Sequence, residues 1–259
     1  MSAHPTDSIG DELCERVASL SRRVARLRFE PPVHTVYNPL AYAREPLEIY
    51  LRRFARRGVE NLLVGMNPGP FGMVQTGIPF GEIESVRTFL GIEGKVRKPR
   101  NTHAKRPIQG FDCTRREVSG QRVWGFAADR FTTPEAFFKR FFVWNWCPLA
   151  FLEDSGRNRT PDKLPANERA ALERACDQGL RELVEALEPK RLIGIGKVAE
   201  GALTRIFGKP DQSPYPIGSI LHPSPASPLA NRGWQPAAEK DFAKLGVQLP
   251  GAPKLSAPK

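Results

Sequence analysis

Cysteine is scarce in this chain, and its four copies are widely spaced. No two of them form a CxxC pair, which argues against a zinc ribbon, although spacing alone leaves an iron–sulfur cluster open. So few cysteines fit a protein of a reducing compartment. Because the cysteines form no metal-binding pair, we expect no metal, and we expect no other cofactor. The four residues are Cys14, Cys113, Cys147 and Cys176.

Long apolar runs are also missing. No stretch of about 18 apolar residues is present, so we expect no membrane span. The first residues show no basic segment followed by an apolar one, so we expect no signal peptide. The motifs GxxxxGK[ST], HExxH and GxSxG are absent as well, which removes the common phosphate-loop and hydrolase signatures.

Acidic residues are outnumbered by basic ones. The 259 residues contain 28 Asp and Glu against 39 Lys and Arg, which gives a formal net charge of +11. Such a surplus favours a polyanionic partner. A generally basic soluble enzyme explains it too, so the charge makes nucleic-acid binding plausible without establishing it.

Apolar strand-like segments alternate with helical patterns along the chain. This order predicts an α/β fold in which helices cover both faces of a mostly parallel central sheet. We predict strands at 61–66, 141–146, 192–196 and 217–221, and a strand or hairpin at 118–126. We predict helices at 8–28, 46–57, 83–90, 134–140, 166–187, 198–207 and 234–245.

A loop rich in glycine and proline follows the first predicted strand and continues to Glu82. Four Gly and three Pro lie between Gly65 and Pro79, which predicts neither a regular helix nor a strand there. Such a loop at the end of a strand brings backbone close to a ligand. Asn67 at the strand tip and the aromatic Phe80 suit a planar, hydrogen-bonding ligand such as a nucleobase.

Three polar residues mark the carboxyl ends of predicted parallel strands, where ligands bind in such sheets. Asn67 could instead cap a turn. Asn145, between two tryptophans, must bond either a neighbouring backbone or a ligand. His222 is either structural or catalytic, and the stiff polar loop after it could press into a DNA groove.

Together these segments resemble the single-strand-selective monofunctional uracil-DNA glycosylase family of the uracil-DNA glycosylase superfamily. The similarity runs in order through about residues 35–245. The matching segments are Gly65–Met73, Gln75–Gly77, Pro79–Glu82, Val118–Gly120, Trp124–Phe126, Phe142-Val143, Asn145, Cys147–Leu149, Ser155–Asn158, His222–Pro225, Ala230-Asn231 and Gly233-Trp234.

The resemblance implies a three-layer α/β/α sandwich that excises uracil, and certain 5-substituted uracils, from single- or double-stranded DNA. It divides the chain into an N-terminal helical extension at 1–30, a catalytic domain at 31–248 and a disordered tail at 249–259. The family acts on a base flipped out of the stack. We expect a monomer without a membrane partner, located inside the cell with DNA, in the cytoplasm or nucleoid of a bacterium or in the nucleus of a eukaryote.

The resemblance also implies roles for single residues. Asn67 positions the hydrolytic water, and His222 stabilises the charge that grows on uracil O2. Phe80 stacks on the base and Asn145 reads its edge. Met66 lends a backbone amide, and Gly69 leaves space near C5. The family's DNA-contacting segment corresponds here to a loop with Ser224, Pro225, Ser227, Asn231 and Arg232.

The chain departs from the family pattern at three positions. Trp144 stands where a smaller or polar residue such as His is expected, Ala226 where Arg is expected and Ser227 where Asn is expected. The strand preference and the opposite-base preference could therefore differ from the family's. No Lys lies in the matching segments to form a Schiff base, so lyase activity is not expected.

The sequence leaves two other functions open. One is a glycosylase of the same superfamily that is specialised for thymine, hypoxanthine or xanthine. The other is a non-catalytic DNA-binding protein, against which the presence of both Asn67 and His222 argues.

Overall fold

Four parallel strands form the central sheet of this computed structural model, which describes residues 8–251. The disordered tail predicted for 249–259 lies outside the described residues from 252 onward. Within them, the strands are β1 Thr35–Tyr37, β2 Asn61–Gly65, β3 Phe141–Asn145, β4 Ala150–Leu152, β5 Asn158–Arg159, β6 Arg191–Ile195 and β7 Ile217–Ile220.

The helices lie between and around these strands. They are α1 Ile9–Val24, α2 Pro39–Tyr42, α3 Arg44–Phe54, α4 Met73–Thr76, α5 Ile83–Thr88, α6 Val118–Phe131, α7 Pro134–Phe138, α8 Ala166–Leu187, α9 Lys197–Phe207, α10 Pro228–Asn231 and α11 Trp234–Lys244. Two 3₁₀ turns occur at Gly110–Asp112 and Pro161–Lys163. No helix in the described range is long and apolar enough to cross a membrane.

The sheet has the strand order β3-β2-β6-β7, and every neighbouring pair is parallel. All residues of β2 and β3 are buried. Since alternate side chains point to opposite faces, both faces of these strands are covered. This confirms the predicted α/β/α sandwich.

A second, antiparallel sheet lies beside the first, with the order β1-β4-β5. The sequence did not predict it because β1 and β5 are only three and two residues long, too short for a visible alternation. The sheet places β4 directly after the end of β3.

The segment 118–126 is helical, so the predicted strand or hairpin is wrong. Val123, Trp124 and Phe126 favour a strand by type. Their burial nevertheless follows a helical period, because Gly120, Trp124, Ala127 and Phe131 are buried at spacings of four, three and four residues. Packing of this one apolar face decides the structure over local propensity.

The glycine- and proline-rich loop also differs from its prediction, because it contains the single-turn helix α4. That turn ends at Gly77, whose φ of +75° lies in the left-handed region that favours glycine.

Helix α1 packs on α3 and α8. Leu13, Val17 and Leu20 are buried in the same core cluster as the central strands. Ser8 caps its N-terminus by accepting a hydrogen bond from the backbone N–H of Asp11 at 3.2 Å. The described part of the predicted N-terminal extension thus shares the core of the rest of the molecule.

Candidate active site

The carboxyl ends of β2 and β3 and the segment after β7 border one cavity of about 230 Å³. Eight of the residues selected from the sequence line it: Met66, Asn67, Gly69, Phe80, Asn145, His222, Ser224 and Pro225. The other lining residues are Pro68, Pro70, Glu117, Ser119, Asn158 and Thr160. The remaining predicted DNA contacts, Ser227, Asn231 and Arg232, do not line it.

Asn145 ends β3 and is 2% exposed. Its Nδ2 donates to the Sδ of Met73 at 3.1 Å. Its Oδ1 is buried and accepts no hydrogen bond from any described residue. A buried acceptor left in this way costs about 1–3 kcal/mol, so the amide is arranged for a partner that the described residues do not supply.

Gly65 is the register partner of Asn145 in the neighbouring strand. A Cβ added to Gly65 would collide with Oδ1 of Asn145 and would lie 2.7 Å from the ring of Phe80. Glycine is therefore required for the amide and the aromatic ring to come so close to the backbone of β2.

Phe80 is half-buried and has a φ of +53°, which is unusual for a residue with a side chain. Its carbonyl accepts hydrogen bonds from Nε1 of Trp124 at 3.0 Å and from the backbone N–H of Glu82 at 2.7 Å. These bonds hold the strained backbone, so the ring has a defined position. Its centroid lies 6.5 Å from that of the His222 ring.

Asn67 is half-buried, and its Nδ2 donates to the carbonyl of Leu149 at 3.3 Å. Its side chain bonds no backbone group of its own turn, as a turn cap would. Its Oδ1 accepts no hydrogen bond among the described residues.

His222 is half-buried, and its Nδ1 accepts a hydrogen bond from the backbone N–H of Ser224 at 3.0 Å. Because Nδ1 is an acceptor there, the ring proton of the neutral imidazole is on Nε2. Burial lowers the pKa of His222 below its ordinary value. The side chain is thus a neutral donor through Nε2 at pH 7.

Glu117 is a cavity residue that the sequence reasoning missed. Burial raises the pKa of its carboxyl above the ordinary value, which its hydrogen bonds with Ser119 oppose. A Cβ added to Gly69 would collide with Oε2 of Glu117, and one added to Gly72 would lie 2.8 Å from its Cγ. The space that these two glycines leave therefore holds the Glu117 side chain. Its position immediately before the matching segment Val118–Gly120 was the available signal.

The loop after His222 is braced by its own side chains. Ser227 caps α10 by accepting from the backbone N–H of Ala230 at 3.3 Å, and Nδ2 of Asn231 donates to the carbonyl of Pro225 at 2.8 Å. Arg122 of α6 donates to the carbonyl of Pro223 at 2.9 Å and to Oδ1 of Asn231 at 2.9 Å. Arg232 is exposed.

No cluster of three or more His, Cys, Asp or Glu that could hold a metal occurs in residues 8–251. All four cysteines are buried free thiols.

The groups that line the cavity can hold a planar base, donate from an imidazole and accept from a water molecule.

Comparison with known proteins gives the family. Residues 53–244 match the model of the uracil DNA glycosylase superfamily. A single-strand selective monofunctional uracil-DNA glycosylase of Rattus norvegicus is 43% identical over 242 residues, which cover 93% of this chain and 86% of the rat protein. The Mus musculus protein of that name is 42% identical over 244 residues, with 93% and 86% covered.

A solved structure shares the fold. SMUG2 of Pedobacter heparinus aligns with a TM-score of 0.65 over 91% of this chain and 97% of that chain, at 18% identity. With the superfamily match over most of the chain and relatives above 40% identity over nearly all of it, the chain belongs to the single-strand selective monofunctional uracil-DNA glycosylase family of the uracil DNA glycosylase superfamily.

Proposed function

We propose that the protein hydrolyses the N-glycosidic bond of uracil in DNA and leaves an abasic site. The observation that carries this proposal is the Asn145 amide at the cavity beside the ring of Phe80, whose buried Oδ1 has no partner in the described part of the chain. A base must leave the duplex to enter a cavity of this size, so we propose that the protein binds a flipped-out nucleotide.

Asn145 reads the edge of the base in this proposal. Its Oδ1 accepts from N3–H of uracil, and the second hydrogen of its Nδ2 donates to O4. Cytosine lacks N3–H and carries an amino group at C4, so both contacts would fail. Phe80 stacks on the base, an interaction of about 1–3 kcal/mol in single-strand binding.

Asn67 and His222 carry the chemistry. Asn67 holds the water that attacks C1′ of the sugar. An amide is too weak a base to deprotonate this water, so the reaction must be largely dissociative, with an oxocarbenium-like sugar and a uracil anion. Nε2–H of His222 donates to O2 as the negative charge develops there, which contributes about 3–4 kcal/mol to the stabilisation of the transition state.

Other cavity residues set which base fits. In this proposal the backbone of Met66 lies next to the base. The Met66 carbonyl already accepts a hydrogen bond from the N–H of Cys147 at 2.9 Å. The space that Gly69 leaves holds the Glu117 carboxyl, so we place Glu117 beside C5 of the base. We therefore propose that 5-substituted uracils small enough for the remaining space are also substrates.

The DNA lies over the loop after His222 in this proposal. Ser224 and Pro225 meet it at the mouth of the cavity, and Arg232 faces solvent from the end of α10. Ser227 and Asn231 brace this loop, so they contribute chiefly through its shape. We propose that a monomer acts on both single- and double-stranded DNA, in whichever compartment holds the cell's DNA.

Monofunctional action follows from the lining. A lyase would need an amine to form a Schiff base, and no lysine lines the described cavity. We therefore propose that the product is an intact strand with an abasic site, which breaks only on alkali treatment.

The test uses a single-stranded oligonucleotide with one uracil. We expect chromatography to detect free uracil and a gel to show cleavage only after alkali. Substitutions N67A, H222A and N145A should each lower the single-turnover rate at least tenfold without changing the circular dichroism spectrum. An oligonucleotide that stays intact with stoichiometric wild-type enzyme would refute the proposal, and DNA binding without base release would point to a non-catalytic protein.

A further inference from the structure

Asn158 is a cavity residue that the roles above do not use. It begins β5, where it is paired in antiparallel register with Leu152 of β4. The preceding turn is tight: the N–H of Gly156 donates to the carbonyl of Glu153 at 2.8 Å, and the N–H of Glu153 donates to that of Arg157 at 3.0 Å. The backbone thus holds Asn158 firmly at the cavity wall.

The same stretch of chain also holds Asn67. Nδ2 of Asn67 donates to the carbonyl of Leu149, which directly precedes β4. Leu149 and Leu152 are three residues apart, roughly 10 Å along a strand. Asn67 and Asn158 therefore line one cavity of about 230 Å³ from neighbouring points of the same support.

The Asn158 amide has no partner among the described residues. Its Oδ1 is buried and accepts no hydrogen bond from residues 8–251. Such an acceptor destabilises the folded protein unless something bound in the cavity donates to it.

The chemistry of the substrate limits which donor that is. A uracil nucleotide within DNA has a single N–H or O–H donor, N3–H, because its carbonyl, sugar and phosphate oxygens only accept. Asn145 accepts from N3–H in the proposed function. The reaction's other reactant is water, whose two hydrogens need two acceptors.

We propose that Asn158 and Asn67 together hold the hydrolytic water, each accepting one of its hydrogens on Oδ1. This inference rests on the proposed function. With both hydrogens held, a lone pair of the water is free to face C1′. The C1′–N1 bond breaks with its electron pair on the base, and the water oxygen bonds to C1′. The water then loses a proton to solvent at the cavity mouth, and the uracil anion takes up one proton.

A double-mutant cycle tests this assignment. Single-turnover rates of uracil release are measured with excess enzyme for wild type, N67A, N158A and N67A/N158A. Two side chains that hold one water act as a unit, so their effects are not additive. We expect each single substitution to cost at least tenfold and the double substitution to cost no more than about threefold beyond the larger single loss. A double loss equal to the product of the single losses would overturn the inference.

Two further measurements separate a water-holding role from a structural one. The affinity of N158A for an oligonucleotide with 2′-fluoro-2′-deoxyuridine, which resists hydrolysis, should stay within about threefold of wild type. N158D keeps an acceptor oxygen and should be faster than N158A. An affinity loss that matches the rate loss, or equal rates for N158D and N158A, would contradict the assignment.

Asn38 supplies the matched control. Its Oδ1 is also buried and has no partner between residues 8 and 251, but Asn38 lies outside the cavity, and its Nδ2 donates to Ser21. N38A should leave the rate within twofold of wild type, and its small effect should multiply with that of N67A. If wild type releases uracil and the Asn67–Asn158 cycle is multiplicative, only this inference fails. If wild type releases none, the proposed function fails with it.

Discussion

His222 is the side chain whose protonation matters most to the proposed chemistry. The N–H of Ser224 occupies Nδ1, and burial lowers the pKa of the imidazole. Protonation would place a second ring hydrogen on Nδ1, which could then no longer accept the hydrogen bond from the N–H of Ser224. The folded state therefore disfavours the cation, and the ring keeps its proton on Nε2, where it can donate to a carbonyl oxygen of the base.

The pH dependence of this histidine follows from the sign of its shift. Since the pKa in the folded protein lies below the ordinary value of about 6.5, its contribution to stability is present above pH 6.5 and is lost as the pH falls through the lowered pKa. We expect the uracil-release rate to be flat from pH 7 to 8 and to fall on acidification well below pH 6.5. H222N should lack this acid limb, and an identical limb in H222N would contradict the assignment.

Glu117 illustrates the opposite shift, because burial raises the pKa of its carboxyl. The stabilisation by its protonated form is present below the unfolded value of about 4.3 and is lost as the pH rises through the folded value. We expect E117Q to be more stable than wild type at pH 7.5, with a difference in Tm that shrinks toward pH 4. The exposed Glu84, changed to Gln, should show no such trend in thermal melts.

Gly69 and Glu117 should also depend on each other. A Cβ at Gly69 would collide with the Glu117 carboxyl. We expect G69A to lose about 1–3 kcal/mol of unfolding free energy, as overpacking typically costs. G69A/E117A should recover part of this loss in chemical denaturation. Additive losses would show that the clash is relieved in another way.

Helix α6 is the element on which the site's geometry depends most. Trp124 bonds the carbonyl of Phe80, while Arg122 bonds the carbonyl of Pro223 and the amide of Asn231. One helix therefore positions both the aromatic plate and the loop that begins at His222. From α11, Nε1 of Trp234 donates to the carbonyl of Leu221 at 2.7 Å and fixes the start of that loop.

A substitution in α6 tests this dependence. R122A removes charged hydrogen bonds of about 1.5–3 kcal/mol each from the loop, so we expect a loss of uracil-release rate of about tenfold or more. R130A is the control, because Arg130 lies in the same helix but pairs with Glu239 of α11 at 2.6 Å. Its rate should stay within threefold of wild type, and equal losses in both variants would indicate a general effect of destabilising α6.

Helix α6 also shows which part of the fold could not be predicted from the sequence. The central strands were visible as apolar runs because a parallel sheet covered on both faces needs them. Segment 118–126 also looked like a strand, since its residues are β-prone and its helical period emerges only when Ala127 and Phe131 are included. The loop residues Asn67, Phe80 and His222 could be selected by type and position. Glu117 adjoins a matching segment and Asn158 ends one, but neither could be selected, because nothing local in the sequence shows that folding brings them to the cavity wall.

The charge of the whole molecule determines how it meets DNA. A net charge of +11 favours binding to phosphates in general, but only cations near the cavity would contact a bound strand. Arg115 lies there: it is exposed, and its guanidinium is 4.6 Å from the ring centroid of Phe71 in the loop that borders the cavity. Arg56 is also exposed but precedes β2, at the opposite edge of the parallel sheet.

This difference predicts a difference in salt dependence. R115Q should reduce the slope of log K against log salt concentration by about 0.7 for single-stranded DNA, the loss of one phosphate contact. R56Q should leave the slope at the wild-type value. Fluorescence anisotropy with a uracil-free oligonucleotide measures both, and equal slopes in the two variants would place the bound strand elsewhere.

Local periodicity and residue type were enough to predict the class of sheet, most helices and strands, and the residues that mark the carboxyl edge. Four features follow only from contacts made on folding. Residues 118–131 form a helix, and Ser227 and Asn231 bond groups of their own loop. The Glu117 side chain fills the space at Gly69, and the proton of His222 is on Nε2. Each of these depends on a hydrogen bond or a contact whose partner is fixed only when the chain folds.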